Sequence, residues 1–219
     1  MQARHSRIPN TPFLHNDTFD WVHTLEAGTQ AVRAELIPLM PHLDQIPTFH
    51  EISPDQARIS KGDHWKTFVL VAFGQTIADN AALCPETMQL LNRIDALENA
   101  WFSILAPGYH IPPHRGPTRA LVRCHLGLLI PEPAEQCWLR VDSERRHWQE
   151  GACLLFDDTY EHEVQNNTGG YRTVLFLDVR RPMDRFGTLL NSALLRGLKA
   201  SAYVKDPLRN LANRQGLRG

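Results

Sequence analysis

The sequence predicts a mainly β protein with flanking helices, because the spacing of its apolar residues changes near residue 101. From there on, short apolar runs alternate with turns that are rich in proline and glycine. Short strands at such regular spacing are typical of a β-sandwich or barrel. The chain has 219 residues, of which 42% are hydrophobic, so it is long enough for one well-packed domain of this kind.

Helical spacing predominates before that point. Apolar residues recur at helical spacing over 19–37, a stripe that Gly28 interrupts, and residues 40–63 are polar and predict a loop. The run WKTFVLVAF at 65–73 predicts a strand, since it is rich in β-branched and aromatic residues. Pro85–Ala100 predicts a further helix with a proline in its first turn.

The strands predicted after Trp101 follow one another closely along the chain. Their sequences are WFSIL, ALVRCHLGLLIP, CWLRV, ACLLF, EHEVQN and RTVLFLDV. Beyond Pro182, apolar residues at helical spacing among basic residues predict an amphipathic helix. We therefore expect one domain in which residues 1–100 support the core, residues 101–182 form it, and residues 183–219 add a basic amphipathic helical region.

The basic residues are concentrated at the C-terminal end. Residues 180–219 hold nine Lys and Arg against two Asp, a net of +7, so the rest of the chain carries −8 within the formal total of −1. This asymmetry favours contact with anions, and the alternative is a helix face that is basic and merely solvated. Nothing in the sequence resembles the interleaved basic and aromatic residues of a nucleic-acid-binding protein.

Targeting signals and cysteine pairs are not evident. No run of 18 apolar residues predicts a transmembrane helix, and residues 1–13 lack the apolar segment of a secretory signal. The four cysteines have no CxxC spacing and are predicted to be reduced thiols: Cys84, Cys124, Cys137 and Cys153. We expect a cytoplasmic protein whose basic end could lie on the inner membrane.

Two histidines stand out by their local sequence. His114 lies in HIPPHRGP, where the prolines predict a rigid turn at which a strand begins, and His162 lies in FDDTYEHEV, at the start of another predicted strand. A neutral imidazole binds Fe(II) through one ring nitrogen. The usual non-haem iron site adds Asp or Glu, typically two residues after the first histidine, but that position here is Gly116.

The strand around Arg123 has one wholly apolar face. Because residues i and i+2 of a strand share a face, Val122, Cys124 and Leu126 are predicted to point into the core. Arg123 and His125 then share the opposite face. If that face is buried, its charge needs a partner, which a bound dicarboxylate would supply, and the alternative is a face exposed to solvent.

Three more charged residues could serve the site. Arg172 opens an apolar strand, and its planar fork suits a carboxylate; the alternative is an ion pair with a surface acid. Asp157 and Asp158 follow another strand. They could orient His162, hold a water on the metal, or cap a turn.

The order and surroundings of these residues resemble the aspartyl/asparaginyl β-hydroxylase family. The resemblance is carried by FSILAPGYHIPPHRGPTRALVRCHLGLLIP, WQEGACLLFDDTYEHEVQN and YRTVLFLDVRRP, all between residues 101 and 182. It implies a double-stranded β-helix core, which is a jelly-roll of the cupin type. It also implies Fe(II), with 2-oxoglutarate and O₂ as cosubstrates.

The resemblance also implies the metal ligands. His114 and His162 match the two iron ligands of the family, and Gly116 reproduces the glycine that the family has in place of the carboxylate. Iron then holds two imidazoles, 2-oxoglutarate and O₂, which leaves one position on the metal. We assign this position to a water held by Asp158.

The cosubstrate residues follow from the same resemblance. Arg172 matches the arginine that grips the distal carboxylate of 2-oxoglutarate, and Ser103 matches its hydroxyl partner. Arg123 and His125 resemble the residues near the keto-acid end.

The resemblance leaves the substrate open. The eukaryotic members often have Asn where this chain has Arg119, and bacterial relatives that share LAPGxHIPPHRGP include hydroxylases of the acyl chains of lipid A. We expect hydroxylation of an unactivated C–H bond in a peptidyl Asp or Asn or a related amino-acid side chain, with release of succinate and CO₂. One alternative is a lipid A acyl-chain hydroxylase at the cytoplasmic membrane face, and another is a non-catalytic cupin-like binding module.

Overall fold

Two antiparallel β-sheets form the centre of the protein. The computed structural model describes residues 2–213. The last part of the predicted C-terminal region, residues 214–219, and the side chain of Lys205 therefore lie outside the described residues.

Helices occur before, between and after the strands. They are α1 (Trp21–Ala27), α2 (Thr29–Leu36), α3 (Phe49–Ile52), α4 (Ala78–Ala82), α5 (Pro85–Leu91), α6 (Arg185–Ala200) and α7 (Ala202–Asn213), with 3₁₀ turns at Gln2–His5, Asn16–Thr18, Ile37–His42, Pro54–Gln56 and Ala134–Gln136. The predicted loop at 40–63 thus contains α3 and short turns.

The strands are concentrated in the second half of the chain. They are β1 (Phe13–Leu14), β2 (Trp65–Ala72), β3 (Gln75–Thr76), β4 (Leu97–Leu105), β5 (His110–His114), β6 (Leu121–Leu129), β7 (Cys137–Val141), β8 (Glu144–His147), β9 (Cys153–Phe156), β10 (His162–Asn166) and β11 (Arg172–Arg180).

The strands from β4 to β11 cross repeatedly between the two sheets. The larger sheet has the order β1-β9-β6-β11-β4-β2-β3, and the smaller sheet has the order β5-β10-β7-β8. This antiparallel double sheet is a jelly-roll. The predicted fold, mainly β with flanking helices around a double-stranded β-helix, is confirmed.

The larger sheet separates two apolar cores. Its outer face packs against α1, α2 and α5, and Val122, Cys124 and Leu126 are fully buried there, which confirms the predicted core face of that strand. The second core lies between the two sheets. The four cysteines are buried and free, so they pack as small apolar side chains.

The helix predicted over Pro85–Ala100 is too long. It ends at Leu91, and Leu97 already begins β4, which pairs with β2 and β11. Ala96 has a φ of +66°, a left-handed conformation that a helix does not continue through. The ladder to two neighbouring strands overrides the helical spacing of the apolar residues.

Two further boundaries differ from the predicted ones. The helix predicted over 19–37 is divided at Gly28, where a Cβ atom would lie 2.3 Å from a methyl carbon of Leu90. The strand expected to begin at His114 ends there instead, so the prolines before it belong to the strand.

The C-terminal helices pack on the body of the protein. α6 contacts the turn at Gln2–His5 and α7 contacts α3. Within residues 2–213, no helix combines the length and the apolar character that crossing a bilayer requires.

Candidate functional site

His114 and His162 face each other across neighbouring strands. They are paired in the register of β5 and β10, and their ring centroids are 4.1 Å apart. Nδ1 of His114 donates to the Pro112 carbonyl (2.8 Å), and Nδ1 of His162 donates to the Tyr160 carbonyl (3.0 Å). Each backbone bond fixes the tautomer and leaves Nε2 with its lone pair, the form in which histidine binds a metal.

Burial keeps both imidazoles neutral. It lowers the pKa of His114 to about 4. It also holds the pKa of His162 well below its ordinary value, and the nearby His114 adds to this effect. Since a protonated imidazole has no lone pair to give, these environments favour the ligating form.

Gly116 leaves room for a carboxylate that comes from elsewhere in the chain. A Cβ atom at Gly116 would lie 2.1 Å from Oδ2 of Asp158, closer than any side chain tolerates. The Gly116 amide also donates to the Asp158 carbonyl (2.7 Å). Burial raises the pKa of the Asp158 carboxyl to about 6. Asp158 therefore occupies the space that a carboxylate at position 116 would need.

Gly116→Ala is expected to lower the free energy of unfolding by about 1–3 kcal/mol, because the added methyl group overlaps the Asp158 carboxylate and must displace it. Urea unfolding measures this change. Gly169→Ala is the matched control, since a Cβ atom there meets nothing within 4 Å. Equal stability of the two variants would contradict the packing of Asp158 against Gly116.

Arg172 is a buried cation that pairs with no carboxylate among the described residues. It is 1% exposed, and burial lowers its pKa to about 10. Its guanidinium lies over the Trp148 ring at 4.7 Å, and Nη1 reaches the Ser103 carbonyl at only 3.5 Å. Within the described chain Nε has no hydrogen-bond partner. The predicted alternative, an ion pair with a surface acid, does not occur among these residues.

His125 offers a second unpaired donor. Trp148 donates from Nε1 to Nδ1 of His125 (3.3 Å), so the ring proton is on Nε2. That Nε2 is buried, and no described residue accepts its hydrogen. Ser103 Oγ accepts from Nε1 of Trp65 (3.0 Å), which leaves the Ser103 hydroxyl proton to be donated. An anion with several acceptor oxygens would satisfy these groups.

Arg123 has two acidic partners inside the protein. Its guanidinium contacts Asp158 and Asp178, each at 2.9 Å, and it stacks on Phe176 at 4.4 Å. The face that it shares with His125 is thus turned inward, and the solvent-exposed alternative is wrong. Its charge is balanced before any ligand arrives, in contrast to the charge of Arg172.

Asp157 serves the structure around the site. It forms a fully buried ion pair with Arg181 (2.6 Å). Its other oxygen accepts from the amide and hydroxyl of Thr159. Of the roles predicted for the two aspartates, turn capping therefore falls to Asp157.

One cavity brings most of the predicted residues together. It is lined by apolar and aromatic side chains and by six of the predicted site residues: His114, His162, Arg172, Ser103, Arg123 and His125. Asp158 and Gly116 lie beside it and are joined to it through Arg123. In the described residues, no three His, Cys, Asp or Glu side chains are arranged to hold a metal. The cavity contains the paired imidazoles of His114 and His162.

Sequence reasoning missed three residues of this site. Trp148 fixes the tautomer of His125 and stacks on Arg172. Trp65 donates to the Ser103 hydroxyl. Asp178 forms an ion pair with Arg123. Asp178 had a signal, because it lies six residues after Arg172 on the same face of a strand. The two tryptophans had none, since an aromatic residue in a strand normally predicts core.

The fold is a jelly-roll, and its cavity holds two imidazoles beside a buried arginine. Comparison with known proteins leads from this fold and cavity to one family. The family model described as Aspartyl/Asparaginyl beta-hydroxylase matches residues 26–182, and the chain belongs to that family. The resemblance seen in the sequence is confirmed.

Individual relatives show how far the similarity extends. The ornithine lipid ester-linked acyl 2-hydroxylase of Rhizobium tropici is 39% identical over 210 residues, which cover 96% of this chain and 75% of that protein. The aspartyl/asparaginyl beta-hydroxylase of Mus musculus is 33% identical over 166 residues, 74% of this chain. The chain spans only 22% of the mouse protein. Among solved structures, a prolyl-4-hydroxylase of Pseudomonas putida is similar at 21% identity and a TM-score of 0.43, over 70% of this chain and 88% of that one.

Proposed function

We propose that the protein is an Fe(II)- and 2-oxoglutarate-dependent dioxygenase that hydroxylates an unactivated C–H bond. The observation that carries this proposal is Arg172, a buried guanidinium with an unpaired Nε, in the same cavity as two neutral imidazoles. An unpaired buried charge is costly, and a ligand carboxylate removes that cost. The imidazole pair suits Fe(II), and the arginine suits the distal carboxylate of a keto acid.

Each residue of the cavity has a role in this proposal. His114 and His162 hold iron through Nε2. Arg172 and the Ser103 hydroxyl bind the distal carboxylate, and His125 donates from Nε2 near the keto-acid end. When bound, iron and 2-oxoglutarate supply the oxidising chemistry that hydroxylates the substrate with O₂ and yields succinate and CO₂.

Arg123 and Asp158 act together at the edge of the cavity. The ion pair between them (2.9 Å) fixes the Asp158 carboxylate beside Gly116. We assign to Asp158 the role of holding a water next to the metal. Arg123 then positions Asp158 and closes the keto-acid end of the site, which the aromatic ring of Phe176 shields.

The alternative of a non-catalytic binding module does not account for this set of residues. A binding module needs no pair of imidazoles whose Nδ1 atoms are both fixed by backbone carbonyls. It also has no need of an unpaired arginine beside them. The family membership supports catalysis as well.

Anaerobic titration with Fe(II) and 2-oxoglutarate tests the proposed cofactors. We expect a metal-to-ligand charge-transfer absorption that appears only when both are present. Its absence at saturating concentrations would favour the binding module. Succinate and an unrelated dicarboxylate, each added in place of 2-oxoglutarate, serve as controls, because neither offers the keto group that chelates the metal.

The substrate that the cavity supports best is an acyl chain of a lipid. A mainly apolar groove runs from α6 to the edge of the site. It is lined by Phe73, Leu121, Leu195 and Leu198, and its charged residues include Glu98, Arg123, Asp158, Asp178 and Lys199. The R. tropici relative is named for an acyl 2-hydroxylase activity. Its match covers 96% of this chain, so the matched region extends into α6 and α7. The peptidyl Asp or Asn side chain expected from the sequence is the second candidate, since the mouse relative bears that name.

Comparing the two substrate classes under turnover conditions decides between them. We expect an ornithine-containing lipid to gain one oxygen atom by mass spectrometry and to increase succinate formation. An Asp- or Asn-containing peptide is expected to do neither. Oxygen found only in the peptide would overturn the acyl-chain assignment and leave the reaction class intact.

A further inference from the structure

The outward face of α6 is apolar and largely exposed, and His5 contacts it at one end, with its ring 5.1 Å from the Phe186 ring. Phe186, Leu189, Leu190, Ala193 and Leu194 follow at the i, i+3, i+4, i+7, i+8 spacing of a single helix face. Phe186, Leu189 and Leu194 are 56%, 62% and 40% exposed. These three are half of the large apolar side chains that the described residues expose.

The fold uses the opposite face of the same helix. Leu195 is buried, and Asn191 donates from Nδ2 to the Ala120 carbonyl (3.0 Å). Leu195 and Leu198 also line the apolar groove beside the site. α6 therefore has two apolar faces, and the stability of the fold accounts for only the inner one. A contiguous exposed apolar patch marks a surface that binds something.

The charges around the outer face indicate what it binds. Arg185 and Arg196 are exposed at its edge, and neither forms an ion pair with a residue that the structure describes. Other cations of this region are already neutralised within the protein. Lys199 pairs with Glu98, and Arg209 pairs with Asp206, each at 2.8 Å. An apolar stripe with arginines along one edge that no described acid neutralises is complementary to an anionic lipid surface.

We propose that the outer face of α6 docks the protein on a membrane that contains anionic lipids. The apolar side chains enter the boundary between headgroups and acyl chains, and the two arginines bind lipid phosphates. The inner face of α6 lines the groove, so docking by the outer face holds the groove about one helix diameter, ~10 Å, from the membrane surface. The role of this contact in substrate delivery rests on the proposed acyl-chain substrate, but membrane binding itself does not depend on catalysis.

Co-sedimentation of the full chain with vesicles, without iron or 2-oxoglutarate, tests the proposal. We expect binding to vesicles of phosphatidylcholine with phosphatidylglycerol, and much weaker binding to phosphatidylcholine alone or in high salt. Phe186→Ser with Leu189→Ser is expected to reduce binding by on the order of tenfold or more. Ile37→Ser with Leu83→Ser is the matched control, since those side chains are 52% and 45% exposed elsewhere.

The outcomes separate docking from catalysis. Failure of the wild-type chain to bind anionic vesicles, or equal losses in the two double variants, would overturn the proposal. Light scattering gives a further outcome against the proposal. If the wild-type chain is a dimer and the Phe186→Ser, Leu189→Ser variant is a monomer, a second copy of the chain is the partner of this face. The charge-transfer absorption is expected to be unchanged in the Phe186→Ser, Leu189→Ser variant, so a vesicle result cannot be confused with a defective iron site.

Discussion

His162→Ala is expected to abolish both succinate formation and the charge-transfer absorption with Fe(II) and 2-oxoglutarate. The described residues place only two imidazoles at the proposed metal, so the variant keeps one protein ligand. Metal sites lose affinity by about 10–100-fold when only an outer partner is removed, and the loss of a ligand itself exceeds that. Equilibrium dialysis with Fe(II), followed by product analysis, measures the effect.

His110→Ala provides the control for this change. His110 lies on the same sheet, in β5, but it is exposed and pairs with Glu163 (2.7 Å) rather than facing the cavity. We expect its iron binding and turnover to equal those of the wild type. Full turnover by His162→Ala would remove this residue from the metal site, whatever the control shows.

Arg172→Met is expected to raise the KM for 2-oxoglutarate by about 100-fold or more, because a buried partner for a carboxylate is lost. The same change is expected to stabilise the ligand-free protein by about 1 kcal/mol or more, since an uncompensated buried charge is replaced by an apolar side chain of similar size. Steady-state kinetics and urea unfolding without 2-oxoglutarate measure the two effects.

Arg181→Met is the matched control, and it is expected to change the free energy of unfolding in the opposite direction. Arg181 is also buried, but it pairs with the fully buried Asp157. Its removal takes away the shortest partner of the buried Asp157 carboxylate and leaves Arg119 at 3.5 Å as the remaining described cation, so it is expected to destabilise the protein by about 3 kcal/mol. If Arg172→Met were destabilising to the same degree, Arg172 would be a structural residue and its role toward 2-oxoglutarate would fall.

The strands of the core could be predicted because their local sequence and their burial agree. In β6, alternate residues are apolar on the face that packs against the helices, and Arg123 and His125 share the other face. The segment after Leu91 could not be predicted in this way, because its apolar residues fit helical spacing equally well. Its pairing with β2 and β11 decides the outcome, and that pairing involves residues that are distant in sequence.

The site was predictable to the extent that its residues carry their own chemistry. Both histidines and Arg172 could be named from their surroundings, Ser103 only from the family resemblance, and all four line one cavity. The partners of Arg123 were not predictable, since a guanidinium in a strand does not reveal which carboxylates it meets in the fold. The same holds for Trp148, which acts through its ring and its N–H on two residues from other strands.

The contact between Gly116 and Asp158 limits how this site can change in evolution. Any side chain at position 116 collides with the Asp158 carboxylate, and loss of that carboxylate takes away one partner of Arg123. A descendant that acquires a carboxylate ligand at position 116 must therefore first give up Asp158. The two changes therefore have a fixed order, and a site with two histidines is separated from the three-ligand type by an intermediate that has neither carboxylate in place.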